Sequence, residues 1–324
     1  MNITLLTSRK EKLMLKIAYV MDPIDSINIE KDSTFAMMES AQQRGHHNYF
    51  LEPQKLYFEH DQSMGIMQKV TVQRSESYYQ AKAPQAIALR DLDAVIMRKD
   101  PPFDMNYVYS TYFMERAQQE TLMLNAPAAL RDANEKLFAL NFPQFIPRTV
   151  VSSQKAVIKD FVAREGKAIL KPIDAMGGIG VFVLRAEDSN VGALIDVMTE
   201  NQQVPVVVQE YIPEATEGDI RVLMVDGEVI SAFRRVPAKG EHRANLNAGG
   251  HAESYTLTPE DRHICEQVGP VLSEKGLVFV GLDLIGGKLI EVNVTSPTGI
   301  QEARKLSDAD TAGALMDYIE SKLN

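Results

Sequence analysis

Short apolar runs alternate with helix-period stretches along the first part of the chain. Leu15-Lys-Ile-Ala-Tyr-Val-Met21 predicts a buried strand, and Ser33 is the expected N-cap of a helix that runs to Arg44 and stops at Gly45. His47 to Leu51, Leu92 to Met97 and Thr121 to Leu124 read as further strands, with a helix from Tyr107 to Gln118. This β-α-β order predicts a doubly wound α/β domain, Rossmann-like in outline. No G-x-G-x-x-G follows its first strand, so the dinucleotide fingerprint is missing.

The pattern changes at about residue 136, where strands shorten and hairpins begin. Thr149 to Val151, Ala168 to Leu170, Val181 to Leu184, Val204 to Gln209 and Ile220 to Val225 are the expected strands. Helices are expected at about Gln154 to Arg164, Val191 to Met198 and Pro259 to Ser273, and Asp226-Gly227 suits a type I′ hairpin turn. This second part is α+β. The expected division is an extension over 1–14, a domain over 15–135 and a domain over 136–324, the last split into subdomains of about 136–205 and 206–324. Between Val236 and Gly250 lies a polar, glycine-bearing stretch without period, the pattern of a mobile lid.

Composition narrows the class. A chain of 324 residues, 45% hydrophobic, can bury a large core and suggests about two domains. Net charge is −10 with basic residues scattered, which argues against a nucleic-acid partner. The single Cys265 excludes an intramolecular disulfide framework and fits a reducing, cytoplasmic setting. Arg9-Lys10-Glu11-Lys12 precedes only a short apolar run broken by Lys16, which fits no signal peptide, and no run approaches the roughly 20 apolar residues of a membrane span.

The residues richest in chemistry lie between Gly281 and Gly299, where Asp283, Glu291 and Asn293 interrupt two apolar runs joined by Gly286-Gly287. Glu291 and Asn293, two apart on a strand, share a face and offer the hard oxygens that suit Mg²⁺. Such an ion takes one or two carboxylates and completes its shell from substrate phosphates, which points to a nucleotide. Asp283 joins them only if the hairpin carries an extra residue, because a plain two-residue turn pairs 283 with 290. A bulge at the glycines is therefore expected.

Other positions gain meaning only together. Lys171 ends an apolar strand before the glycine-bearing Ile173-Asp-Ala-Met-Gly-Gly-Ile-Gly180, where backbone N–H groups and an ammonium can cradle phosphate. There is no Walker A motif. Lys136 alone reads as a surface lysine. Gln209-Glu210-Tyr211-Ile212 follows an apolar run and offers backbone to an adenine edge, and Asp219 and Arg221 share a strand face. The six histidines form no metal spacing, so positioning and charge neutralisation are the expected catalytic means, as in phosphoryl transfer.

In this order, these residues resemble the ATP-grasp superfamily. From Leu15 onward the chain resembles the prokaryotic glutathione synthetase family, through Val20-Met-Asp-Pro-Ile24, Ile29-Glu-Lys-Asp-Ser-Thr-Phe-Ala-Met37, Met97-Arg-Lys-Asp-Pro-Pro-Phe-Asp104 and Leu130-Arg-Asp-Ala-Asn-Glu-Lys-Leu137. The resemblance implies an ATP-dependent ligase joining γ-glutamylcysteine to glycine through an acyl phosphate, with Mg²⁺, or Mn²⁺ in its place. It implies that Lys136 and Lys171 hold phosphates, that Gly177 and Gly178 form the small phosphate loop, and that Gln209, Glu210, Tyr211 and Ile212 border the adenine, with Asp219 near the nucleotide. Asp283, Glu291 and Asn293 match the metal ligands, and Arg221, Arg235 and Arg243 match basic positions for the transferring phosphoryl group and the oxyanion. Arg98, Asp100, Ser296 and Thr298 are the expected peptide and glycine region, and a homo-oligomer, a tetramer of paired dimers, is implied. Ala175 departs from the pattern where the loop often has another glycine, and residues 1–14 have no counterpart. The rival readings are a different ATP-grasp carboxylate–amine ligase and a nucleotide-binding regulatory module without turnover.

Overall fold

The apolar run at Leu15 becomes strand β1 (Lys16–Val20), the centre of a sheet whose two faces are both buried. The structure, a computed structural model, describes residues 14–238 and 249–323. Strands β2 (His47–Leu51), β7 (Ala94–Met97) and β8 (Leu122–Leu124) join β1 in a parallel core of order β2-β1-β7-β8. The strand period sorts β1 between two cores: Ile17 and Tyr19 pack against helix α1 (Ser33–Gln43), while Ala18 and Val20 pack on the side of α2 (Met105–Arg116) and α3 (Pro127–Asp132). An antiparallel extension continues past β2: β3 (Leu56–Glu59), β4 (Gln62–Val72), β5 (Tyr79–Ala81) and β6 (Gln85–Ala88). Sequence reading placed no strand there.

One cap differs from expectation. Asp32, not Ser33, caps α1, its carboxylate accepting from the Phe35 N–H at 2.6 Å. Ser33 Oγ instead accepts from the N–H groups of Gly299 and Ile300 at 3.2 and 3.3 Å, at the start of α7 (Ile300–Leu306). The serine thus ties the first helix to a distant one.

The second sheet is antiparallel, order β11-β10-β12-β9, from β9 (Thr149–Ser152), β10 (Lys167–Pro172), β11 (Phe182–Arg185) and β12 (Val206–Glu210). Helices α4 (Lys155–Glu165) and α5 (Val191–Met198) cover it, and Ile158, Phe161, Leu170, Ile195 and Val208 build a core that belongs to this unit alone. Because β12 lies between β10 and β9, a division near residue 205 would sever a strand from its sheet; the sheets part after Glu210.

The third sheet, order β15-β14-β13-β16-β17, contains β13 (Asp219–Val225), β14 (Glu228–Val236), β15 (His251–Ser254), β16 (Phe279–Ile285) and β17 (Lys288–Asn293). Asp226 and Gly227, with φ of 50° and 82°, make the expected turn between β13 and β14. Helix α6 (Pro259–Glu274) starts with a capping box between Thr258 and Asp261, and α8 (Thr311–Leu323) packs on α1. Buried residues of this sheet fall into the same two clusters as those of the first sheet, so the two share their cores. No helix among the described residues is long and apolar enough to cross a membrane.

Candidate active site

Strands β16 and β17 carry the acidic set, and their register decides its geometry. Ile285 faces Lys288 across a two-residue turn in which Gly286 and Gly287 have φ of 55° and 67°, a conformation glycine adopts without cost. Leu284 faces Leu289, and then the register shifts so that Asp283 faces Glu291. The expected extra residue is present but does not sit at the glycines. It is Ile290, which has no partner on β16. The bulge brings Asp283 and Glu291 side by side, with Asn293 opposite Gly281.

Asp283 is buried between two arginines. Arg221, its cross-strand partner on β13, places Nε 2.9 Å from Oδ1, and Arg235 on β14 places Nη2 2.9 Å from Oδ2. Arg235 is in turn gripped by Asp219, its partner in register, through two bonds of 2.6 Å. Burial raises the Asp283 carboxyl, but Arg221 and Arg235 outweigh it and hold the group below its ordinary value. Gly281 makes room for this arrangement: a Cβ there would lie 2.3 Å from Arg221 Nη1. Asp283 Oδ1 receives no hydrogen bond of good geometry from any described residue. Asn293 donates its amide N–H to Gly281 O at 3.2 Å, which leaves its carbonyl oxygen available.

Two lysines face these acids. Lys136 Nζ lies 3.2 Å from Glu291 Oε1 and also meets the carbonyl oxygens of Ala175 and Ile173 in the glycine-bearing loop. Lys171, buried at the end of β10, points toward the carbonyl of the bulged Ile290 at 3.5 Å. Burial pulls its ammonium down to about 8, although Glu291 pushes the other way.

These groups line one cavity of about 520 Å³ between the second and third sheets. Lys136, Lys171, Gly177, Gly178, Gln209, Glu210, Tyr211, Ile212, Asp219, Arg221, Arg235, Asp283, Glu291 and Asn293 all border it. At its apolar end the Lys167 ammonium lies over the Tyr211 ring, 3.1 Å from the centroid. The Glu210 carboxylate turns away to Arg148, and the Gln209 amide donates to Thr149 Oγ1, so both side chains serve the second sheet itself. Asp283, Glu291 and Asn293 would offer two carboxylates and an amide to a hard cation; among the described residues no three His, Cys, Asp or Glu side chains form a complete cage. That donor set fits an ion that finishes its shell with phosphate and water.

Arg98, Asp100, Ser296 and Thr298 lie outside this cavity's lining, at the junction of the first and third sheets. Arg98 and Asp100 follow β7 where it adjoins β1, and connections leave these two strands in opposite directions, the switch point at which open α/β sheets take ligands. Arg98 is buried, donates from Nε to Thr34 Oγ1 at 3.0 Å, and accepts at its backbone oxygen from Ser296 Oγ at 3.3 Å. The Asp100 N–H donates to Asp22 Oδ2 at 2.9 Å, and Thr298 is exposed. Arg243 and most of the expected lid lie outside the described residues.

Sequence reading missed Glu135. Its Oε1 accepts from the N–H groups of Val294 and Thr295, each at 3.0 Å, and from Thr295 Oγ1 at 2.8 Å. The only signal was its place beside Lys136.

Comparison with known proteins decides the family. Residues 15–131 match the model of the prokaryotic glutathione synthetase N-terminal domain, and residues 135–308 match that of the prokaryotic glutathione synthetase ATP-grasp domain. The chain belongs to the prokaryotic glutathione synthetase family. It is 47% identical to the glutathione synthetase of Vibrio vulnificus strain YJ016, over 96% of this chain and 99% of that one. It is 44% identical to that of Escherichia coli O6:H1, again over 96% and 99%. Among solved structures, the D-cycloserine synthetase DcsG aligns over 95% of this chain and all of its own (100%), with a TM-score of 0.67 at 15% identity. The ATP-grasp ligase PsnB, in complex with a precursor peptide and AMPPNP, aligns over 98% and 100% with a TM-score of 0.63 at 19% identity. These distant structures share the fold: an α/β N-terminal domain followed by an ATP-grasp domain.

Proposed function

We propose that this protein joins γ-glutamylcysteine to glycine to form glutathione, releasing ADP and phosphate. What supports the reading most is that Lys136, Lys171 and the Asp283–Glu291–Asn293 set converge on one cavity in a chain that aligns with glutathione synthetases over 96% of its length. The cysteinyl carboxylate attacks the γ-phosphorus and ADP leaves; the amine of glycine then attacks the acyl carbon and phosphate leaves.

Lys136 and Lys171 hold the phosphates, beside the loop containing Gly177 and Gly178. Gln209, Glu210, Tyr211 and Ile212 border the adenine, Tyr211 with its ring and Glu210 with its backbone. Asp283, Glu291 and Asn293 would hold Mg²⁺, or Mn²⁺ in its place, which neutralises phosphate charge when bound. Arg221 and Arg235 stand beside that set and stabilise negative charge on the transferring group, and Asp219 keeps Arg235 aimed. Arg243, from the segment between β14 and β15, completes the basic set and shields the acyl phosphate from water. Arg98, Asp100, Ser296 and Thr298 receive the peptide and glycine. The same proposal includes the domain division near residue 135, a cytoplasmic location, and a homo-oligomer, a tetramer of paired dimers.

The test is ADP release by the purified protein with Mg·ATP, adding γ-glutamylcysteine and glycine singly and then together, with the product identified by mass. Release that needs both, with glutathione formed, is the expected outcome. ATP binding without turnover on these substrates would move the assignment to another carboxylate–amine ligase.

A further inference from the structure

β17 is an edge strand of its sheet, and edge strands leave every second N–H without a partner unless something covers them. Here the connector between the first two sheets covers it. Leu289 N–H donates to Phe145 O and Val292 N–H donates to Glu135 O, both at 2.9 Å. At the next outward position no backbone carbonyl is supplied. The Glu135 side chain takes that place, and Oε1 collects Val294 N–H, Thr295 N–H and Thr295 Oγ–H. One residue therefore makes four bonds to β17 and its exit, around Glu291 and Asn293.

The same connector carries the phosphate-side contacts. Asn134 Oδ1 accepts from the N–H groups of Lys136 and Leu137 at 3.1 and 3.0 Å, and its amide approaches Ile173 O at 3.5 Å. Lys136 joins Glu291 to the carbonyls of the loop. Residues 134–136 thus touch the phosphate loop, the acidic strand and Val294-Thr295 just before Ser296 at once.

We infer that Glu135 is a positioning residue that fixes Lys136 against Glu291 and Asn293, so that the phosphates and their metal are gripped together. It reaches the nucleotide only through its neighbours. This inference rests on the proposed function for the identity of the ligand. An acid suits the place because its charge strengthens the bonds from all three donors, whereas an amide would keep a weaker acceptor.

The experiment compares wild type, Glu135→Gln and Glu135→Ala. Affinity for ADP is measured by calorimetry with and without Mg²⁺, alongside the melting temperature and the steady-state kcat and KM. In Glu135→Ala the gain in ADP affinity caused by Mg²⁺ is expected to fall about 10- to 100-fold, the usual cost of losing a support to a metal ligand, while metal-free affinity falls less, through Lys136 alone. Glu135→Gln, which keeps an acceptor, restores most of that gain and most of kcat. A full Mg²⁺-dependent gain in Glu135→Ala would overturn the inference, as would a wild type without such a gain. If the alanine variant does not fold, the glutamine variant decides: a part-lost gain at an unchanged melting temperature supports the role, and a full wild-type gain refutes it. Because binding is read without turnover, a wild type that gripped Mg·ADP but made no glutathione would count against the reaction alone.

Discussion

The two sheets that face each other across the cavity are held in opposite ways. The β9–β12 unit has a private core, with Ile158, Leu170, Ile195 and Val208 touching no buried residue of either other sheet's clusters. The β13–β17 sheet shares both its cores with the N-terminal domain, and Ser33, Asn125 and Glu135 stitch the two together by hydrogen bonds. The side that carries Lys171 and Gly177-Gly178 therefore packs on a core of its own, while the acidic side shares its cores with the bulk of the protein. On the proposed function, such a division would let a nucleotide be enclosed without disturbing the arginine and carboxylate geometry.

The sharpest way to break this comparison is to remove a charge from the fixed side. Glu291→Ala is expected to lower kcat by about 100- to 1,000-fold with an unchanged melting curve, as when one preorganised charge is lost from a transition-state site. Near-normal turnover would remove Glu291 from the site. Paired core truncations come next. Leu170→Ala and Leu282→Ala should each cost about 2–5 kcal/mol, but in different places. Hydrogen exchange should show the first loosening residues 149–210 alone, and the second loosening the first and third sheets together. Uniform loosening by Leu170→Ala would erase the distinction.

Asp219→Asn, which weakens the grip on Arg235, is expected to reduce kcat by about tenfold with little change in KM for ATP, the size of a lost supporting contact. A change confined to KM would argue that Asp219 contacts nucleotide itself. The smallest effect is one of pH. Lys171 has a folded pKa of about 8, below its ordinary value of 10.5, so between these limits the unfolded chain holds the extra proton and stability rises with pH. ATP affinity runs the other way, declining above about pH 8 as the ammonium is lost. Lys171→Arg should abolish that decline, and an identical pH profile in the variant would exclude Lys171 as its source.

Much of this arrangement was legible in the sequence where one strand or loop carries the signal. The period of two put Glu291 and Asn293 together, and the need for an extra hairpin residue followed from counting. Which residue would bulge did not, because no turn signal marks Ile290. Asp219 and Arg221 were expected on one face, but their partners belong to other strands. That Asp283 would sit between two arginines depends on the β14-β13-β16 order. The β3–β6 extension escaped notice: β3, β5 and β6 are short and mostly exposed, and β4 alternates buried positions with polar ones such as Gln68 and Lys69. Glu135 and Ser33 escaped for a common reason: each serves an element more than 150 residues away in sequence, as the separations of 159 and 266 show.

The most direct measurement is hydrogen exchange of the wild-type protein with and without Mg·ADP. Simultaneous protection of 167–178, 206–212 and 281–293, with little change in the first sheet's β1 and β2, is expected if a separately cored unit closes on a fixed acidic strand. Protection confined to one side of the cavity, or spread evenly over all three sheets, would contradict it.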